Sequence, residues 1–169
     1  MINKKIAVYA GTFDPITNGH RDIILRAAGV FPNLVVAVVK NSNKNTLISA
    51  EKRAELIRKT IETFPKELKS KIKVSTFDGL LVDYVKSIKS NIIIRGLRAV
   101  SDYEYEAQMA VINRNLSSSI ETVFFMTSEE TSFISSSVVR EVAKLGGDVS
   151  TLVPKPVFQE LKKIFSKKS

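Results

Sequence analysis

The chain has 169 residues, 44% hydrophobic and 25% charged, an ordinary composition for one globular domain with a substantial core. It contains no cysteine, which excludes a disulfide framework, a thiolate metal site and a cysteine nucleophile, and fits a reducing cytoplasm. The formal net charge of +9 admits a nucleic-acid or anionic-substrate binder. The lysines are scattered, however, often beside glutamates, and only 155–169 is locally basic. The reading adopted is a lysine-rich surface with no nucleic-acid partner. No apolar run reaches the roughly 18 residues of a membrane span. Lys4-Lys5 and the run 6–10 make a poor signal peptide, because Asp14 and Pro15 follow too soon. A cytoplasmic protein without a membrane partner is expected.

Residues 6–9 are an apolar run read as a buried strand. Residues 21–30 carry Ile23, Ile24, Ala27, Ala28 and Val30 at helical spacing. Between them lies Gly11-Thr12-Phe13-Asp14-Pro15-Ile16-Thr17-Asn18-Gly19-His20. Gly11 lets the backbone bend or approach a ligand, and Pro15 fixes φ. Gly19-His20 stands where the helix begins, where outward N–H groups and the helix dipole favour an anion. The turn reads as a phosphate site. Neither G-x-G-x-x-G nor the P-loop pattern is present; Thr17-x-Gly19-His20, a T/H-x-G-H box, is. His20 is the single histidine. A bound anion would raise its pKa and make it a donor to a phosphoryl oxygen.

Residues 34–39 form a continuous apolar run with β-branched residues, as in a strand buried on both faces of a parallel sheet. A polar loop follows, with Lys40 and Lys44. Ser49 is placed as the N-cap of a helix to about residue 64, with Ala54, Leu56, Ile57 and Ile61 inward and Pro65 closing it. Residues 72–77 alternate, reading as a strand near an edge. Asp78-Gly79 turns into a helix over 80–88. Residues 91–94 read as a fourth buried strand that stops at Arg95-Gly96-Leu97-Arg98. Asp102 caps a helix to about 116, and 121–126 is a fifth strand. A Ser/Thr-rich loop leads to a helix over 137–145, ended by Gly146-Gly147. Pro154 and Pro156 lead a last helix with Val157, Leu161, Ile164 and Phe165 inward. This alternation, without repeat or linker, predicts a single-domain α/β fold over 1–169. The expected form is a doubly wound, Rossmann-like, five-stranded parallel sheet with helices on both faces and a C-terminal helix.

In such sheets ligands bind outside the carboxyl ends of the strands. The residues expected there are Thr12 and His20, then Lys40 and Lys44, then Asp78 and Gly79, then Arg95, Gly96 and Arg98, then 128–137. Arginine forks suit phosphate, and Gly96 would let a ligand approach the backbone. The alternative for Arg95 and Arg98 is ordinary pairing with Asp102 or Glu106. Lys44 alone reads more readily as a solvated loop lysine. Ser135, Ser136 and Ser137 suit either an N-cap or an anion site, which Arg140, one turn in, could also face. No His/Asp/Glu cluster has metal-ligand spacing, and no Ser-His-Asp triad is suggested. Cations and amides without a nucleophile suit direct phosphoryl or nucleotidyl transfer.

Three segments together carry a resemblance: the 11–20 box, Ile94-Arg95-Gly96-Leu97-Arg98-Ala99-Val100 with Asp102-Tyr103-Glu104-Tyr105-Glu106, and Ser132-Phe133-Ile134-Ser135-Ser136-Ser137. In this order, over nearly the whole chain, the sequence closely resembles the bacterial phosphopantetheine adenylyltransferase family. The box alone marks only the wider nucleotidyltransferase superfamily. The resemblance implies that ATP and 4′-phosphopantetheine give dephospho-coenzyme A and pyrophosphate, with no covalent enzyme intermediate. It places Gly11, Thr12 and His20 on the ATP phosphates, His20 also stabilising the transition state. It places Thr12, Lys44, Leu81 and Arg95 on the pantetheine phosphate and arm, with Lys44 and Arg95 in the catalytic set beside His20. Gly96, Leu97, Arg98, Glu106 and the segment Thr131, Ser132, Phe133, Ile134, Ser135, Ser136 and Ser137 fall where the family holds ATP. The resemblance further implies Mg²⁺ carried by the phosphates with no protein ligand set, a homohexamer of two trimers, and feedback by coenzyme A. The family commonly has Pro where Ala10 and Ser42 stand, and an aromatic residue where Thr131 stands.

Overall fold

The apolar runs of the sequence become the strands of one sheet. The computed structural model describes residues 6–40 and 45–166, with the backbone alone at 100 and 101. Its strands are β1 (Ile6–Gly11), β2 (Asn33–Val39), β3 (Ile72–Phe77), β4 (Ile92–Leu97) and β5 (Glu121–Met126). Their order is β3-β2-β1-β4-β5, and every pairing is parallel. The chain therefore winds outward from β1 in one direction and from β4 in the other. The loops leaving these two central strands diverge, which opens a crevice at the switch point.

The helices are α1 (Asn18–Val30), α2 (Ala50–Ile61), α3 (Lys66–Lys69), α4 (Leu81–Ser87), α5 (Val100–Leu116), α6 (Ser136–Lys144) and α7 (Lys155–Ser166). Successive strand side chains point to opposite faces. Ala7, Tyr9, Val36, Val38, Ile92 and Ile94 pack with Ile24 and Ala27 of α1, Leu56 and Ile57 of α2, Val139 of α6 and Leu161 of α7. Val8, Ala10, Ala37 and Ile93 pack on the other face with Val82 and Val85 of α4. Burying one such Ile or Val contributes about 1.5–3 kcal/mol, so the sheet register, which decides which face each residue joins, is strongly specified.

Three local departures from the sequence reading have physical causes. β4 does not stop at Ile94. It continues through Arg95, Gly96 and Leu97, because β5 runs alongside and pairs them with Phe124, Phe125 and Met126. Gly96 consequently serves packing: a Cβ there would lie 2.2 Å from Ile23 Cδ1, so the bare backbone seats α1 against the sheet. Asp102 is not the N-cap of α5. That position is Ala99, and the Asp102 carboxylate accepts the Arg98 N–H at 3.1 Å from within the first turn. Pro65 does not close α2, which ends at Ile61; it stands at the N-cap of α3, four residues being too few to show helical periodicity.

Candidate active site

A cavity of about 610 Å³ lies at the carboxyl ends of the strands, a size usual for a small-molecule site. Gly11, Thr12 and His20 line it from the segment after β1, and Leu81 from the start of α4. Arg95, Gly96, Arg98 and Glu106 form another wall, and Ile134, Ser135, Ser136 and Ser137 a third. Four residues of the expected set lie off it. Leu97 is buried, and its carbonyl accepts the Thr127 N–H at 2.9 Å. Thr131, Ser132 and Phe133 belong to the one-turn 3-10 segment and its exit, with Phe133 68% exposed. Lys44 falls outside the described residues, though Asn45 and Thr46 of the same loop line the cavity.

The turn after β1 builds the first wall from backbone. Thr17 is the N-cap of α1, and Thr17 with His20 forms a capping box. The Thr17 backbone N–H donates to His20 Nδ1 at 3.0 Å. A backbone amide only donates, so Nδ1 is the acceptor nitrogen, and the neutral ring carries its proton on Nε2. Phe13 packs edge-on to this ring, with centroids 5.1 Å apart. The His20 pKa is lowered to about 4, by burial first and then by Arg98 and Arg95. The sequence expectation was a pKa raised by an anion; in the protein alone burial and two guanidinium groups act the other way. The neutral imidazole is left with Nε2–H as its donor. Two further donors sit beside it. The Gly19 N–H, in the first turn of α1, and the Phe13 N–H have no hydrogen-bond partner among the described residues. Phe13 holds a left-handed φ of 50°, a conformation uncommon for a bulky residue.

The corner after β4 builds the second wall from paired charges. Arg95 Nε donates to Glu106 Oε2 at 2.6 Å, Nη2 to Oε1 at 2.7 Å, and Nη1 to the Ala10 carbonyl at 2.9 Å. A guanidinium has five N–H donors, so three are spent on the protein and two remain for a ligand. Arg98 pairs with Asp102, Nε to Oδ2 at 3.0 Å. This contact holds the Asp102 carboxyl below its ordinary range. Both arginines line the cavity and both are ion-paired, Arg95 with Glu106 and Arg98 with Asp102. At α6, the Ser135 hydroxyl accepts the Val138 N–H as the N-cap, and Ser136 donates to the Pro15 carbonyl at 2.8 Å. Arg140 donates to the Asp14 carbonyl and to Ser137 Oγ.

Two buried residues escaped the sequence reading. Asp14, 3% exposed, accepts the N–H groups of Leu47 at 2.8 Å and Ile48 at 3.0 Å. Arg53, 1% exposed, donates to the Ile48 carbonyl at 2.9 Å and to the Thr12 carbonyl. The signal for Arg53 was available: it lies three residues after Ala50 and three and four before Leu56 and Ile57, on the buried stripe of α2, where a charge is out of place.

Residues 8–142 match the family model described as cytidylyltransferase-like. A parallel sheet with a T/H-x-G-H helix start at its switch point thus defines the class, a nucleotidyltransferase. The chain is 50% identical to the phosphopantetheine adenylyltransferase of Nautilia profundicola over 92% of its own length and 97% of that protein's. It is 49% identical to that of Geobacter metallireducens over 97% and 98%. The chain belongs to the phosphopantetheine adenylyltransferase family. Among solved structures it superposes on the Plasmodium falciparum nicotinic acid mononucleotide adenylyltransferase complexed with NaAD, with a TM-score of 0.73 at 17% identity over 96% of each chain. That likeness concerns the fold.

Proposed function

We propose that this protein transfers the adenylyl group of ATP to 4′-phosphopantetheine, giving dephospho-coenzyme A and pyrophosphate, a late step of coenzyme A biosynthesis. The observation that carries the reading is the meeting, in one cavity, of the His20 Nε2–H and the Gly19 N–H, the latter without a partner among the described residues, with the half-free Arg95 fork. A phosphate oxygen of the acceptor attacks the α-phosphorus of ATP in line. One P–O bond forms as the bond to the β-phosphate oxygen breaks, pyrophosphate leaves, and no enzyme group becomes covalently attached. Gly11, Thr12, Phe13, Gly19 and His20 surround the nucleotide phosphates, and His20 donates to the α-phosphoryl oxygen as charge builds on it. Arg95, Lys44 and Thr12 take the acceptor phosphate. Leu81 meets the pantetheine arm beside a smaller cavity of about 180 Å³ that Arg95 shares with Leu80, Val82 and Met109.

Gly96 and Arg98 serve ATP from the cavity wall, with Leu97 beneath them as support, as do the residues from Thr131 to Ser137, the outer ones through backbone because Thr131 has no ring to stack on adenine. Arg140 adds a cation at the same end. Glu106, which the family resemblance assigns to ATP, is engaged by Arg95 and acts by setting that guanidinium. Asp14, Asp102 and Glu106, three carboxylates lining the cavity, are held by backbone amides or arginines. Mg²⁺ accordingly enters with ATP, on its phosphates. α5 exposes Tyr103, Tyr105, Val111, Ile112 and Leu116, an apolar surface that suits subunit contacts. It supports the homohexamer, with coenzyme A feedback and a cytoplasmic location carried by the family likeness, and one domain over 1–169. No helix among the described residues is long and apolar enough to cross a membrane.

The test is pyrophosphate release from Mg-ATP, with 4′-phosphopantetheine and nicotinate mononucleotide offered in parallel. Release with phosphopantetheine alone is expected. Release only with the mononucleotide would overturn the acceptor and keep the chemistry.

A further inference from the structure

Arg53 is a fully buried cation. Its ordinary pKa is lowered by burial, with Asp14 the largest opposing influence, and the structure gives it no direct ion pair among the described residues. Such a group is costly unless it satisfies polar atoms that nothing else reaches. The two atoms it satisfies lie in different segments, 36 residues apart in the chain. One is the Ile48 carbonyl, in the loop after β2; the other is the Thr12 carbonyl, in the turn after β1. Asp14 returns the link, its carboxylate accepting from Leu47 and Ile48. Arg53 itself does not line the cavity, whereas Thr12 and Phe13 do.

The peptide between Thr12 and Phe13 is trans. In a planar trans peptide the C=O and the following N–H point in opposite directions. A Thr12 carbonyl drawn toward buried Arg53 therefore turns the Phe13 N–H away from it, toward the open side. That N–H has no partner among the described residues, and the left-handed φ of Phe13 is an arrangement that the surroundings must hold. We propose that Arg53 is a positioning residue for phosphate: it locks the Thr12–Phe13 peptide so that the Phe13 N–H faces the bound phosphates, and fixes the loop after β2 to the same turn. This rests on the adenylyltransferase reading, and the nucleotide phosphates are the ligand concerned. A lysine at 53 keeps the buried cation but lacks the fork that spans both carbonyls.

The experiment compares ATP, pyrophosphate and adenosine binding by calorimetry in the wild type and Arg53→Lys. Loss of one charge-assisted hydrogen bond predicts about tenfold weaker ATP and pyrophosphate, with adenosine unchanged within about twofold. A merely structural role would leave the ATP-to-adenosine ratio alone, so equal weakening of both, or of neither, overturns the proposal. The wild type supplies a second measurement should the variant not fold. The Phe13 amide resonance should move downfield when pyrophosphate is added. An unmoved Phe13 amide in enzyme that turns over phosphopantetheine sinks this proposal and spares the function; failure of the wild type to bind ATP sinks both.

Discussion

The turn after β1 and the corner after β4 face one cavity but are prepared differently. The turn offers backbone N–H groups and an imidazole Nε2–H with no partner among the described residues. The corner offers arginines already gripped by Glu106 and Asp102. Donors left open at a helix start need no rearrangement when charge develops, which suits a transition state. A guanidinium kept half-satisfied is held in place while empty, which suits recognition of an incoming acceptor. The two regions should therefore fail differently when broken: the turn in rate, the corner in affinity.

The largest effect belongs to the turn. His20→Ala should lower kcat about 10²–10³-fold, as loss of one preorganised donor does, with ATP affinity changed only a few-fold. Single-turnover rates beside calorimetric ATP affinities check this, and a collapse of affinity at unchanged kcat would count against the assignment. Next comes the corner. Arg95→Ala should raise KM for 4′-phosphopantetheine about tenfold to a hundredfold, leaving KM for ATP nearly as it was. Steady-state titration of each substrate decides it, and a change confined to ATP would move Arg95 to the other substrate.

The same contrast explains what could be read in the sequence. The parallel sheet was legible because 34–39 and 92–94 are continuous apolar runs rich in β-branched residues, and the turn because capping and helix-start chemistry are local in sequence. The capping partners Thr17 and His20 are three residues apart. Arg95 and Glu106 are eleven apart, across a strand end and a helix, and Arg53 meets Thr12 across 41 residues. Spacing names the candidates for such pairings without choosing among them. The end of β4 was misjudged for a related reason: whether Arg95 to Leu97 stay in the strand depends on β5, which sequence-local polarity does not reveal.

Gly96 joins the two regions, since its bare backbone receives Ile23 of α1. Gly96→Ala should destabilise the protein by about 1–3 kcal/mol through overpacking. Thermal or urea unfolding of the single variant and of Gly96→Ala with Ile23→Val measures it. The double variant removes the clashing Cδ1 and should regain most of the loss; no recovery would mean that Gly96 is required for backbone conformation or ligand approach instead.

The smallest effect is a titration that the composition makes easy to observe. The chain has one histidine, so a single imidazole signal reports His20. Its midpoint should lie near 4 rather than the ordinary 6.5. Between those values the unfolded chain binds more proton than the folded one. By linkage, His20's contribution to stability is present above about pH 6.5 and lost as pH falls toward 4. Wild type and His20→Gln should accordingly differ most in urea midpoint above pH 6.5 and converge toward pH 4. Guanidinium groups that lower the pKa of the empty site also attract phosphate, so bound pyrophosphate should move the imidazole midpoint upward. A midpoint that ignores pyrophosphate would place His20 away from the phosphates, and the contrast between turn and corner would then rest on Phe13 and Gly19 alone.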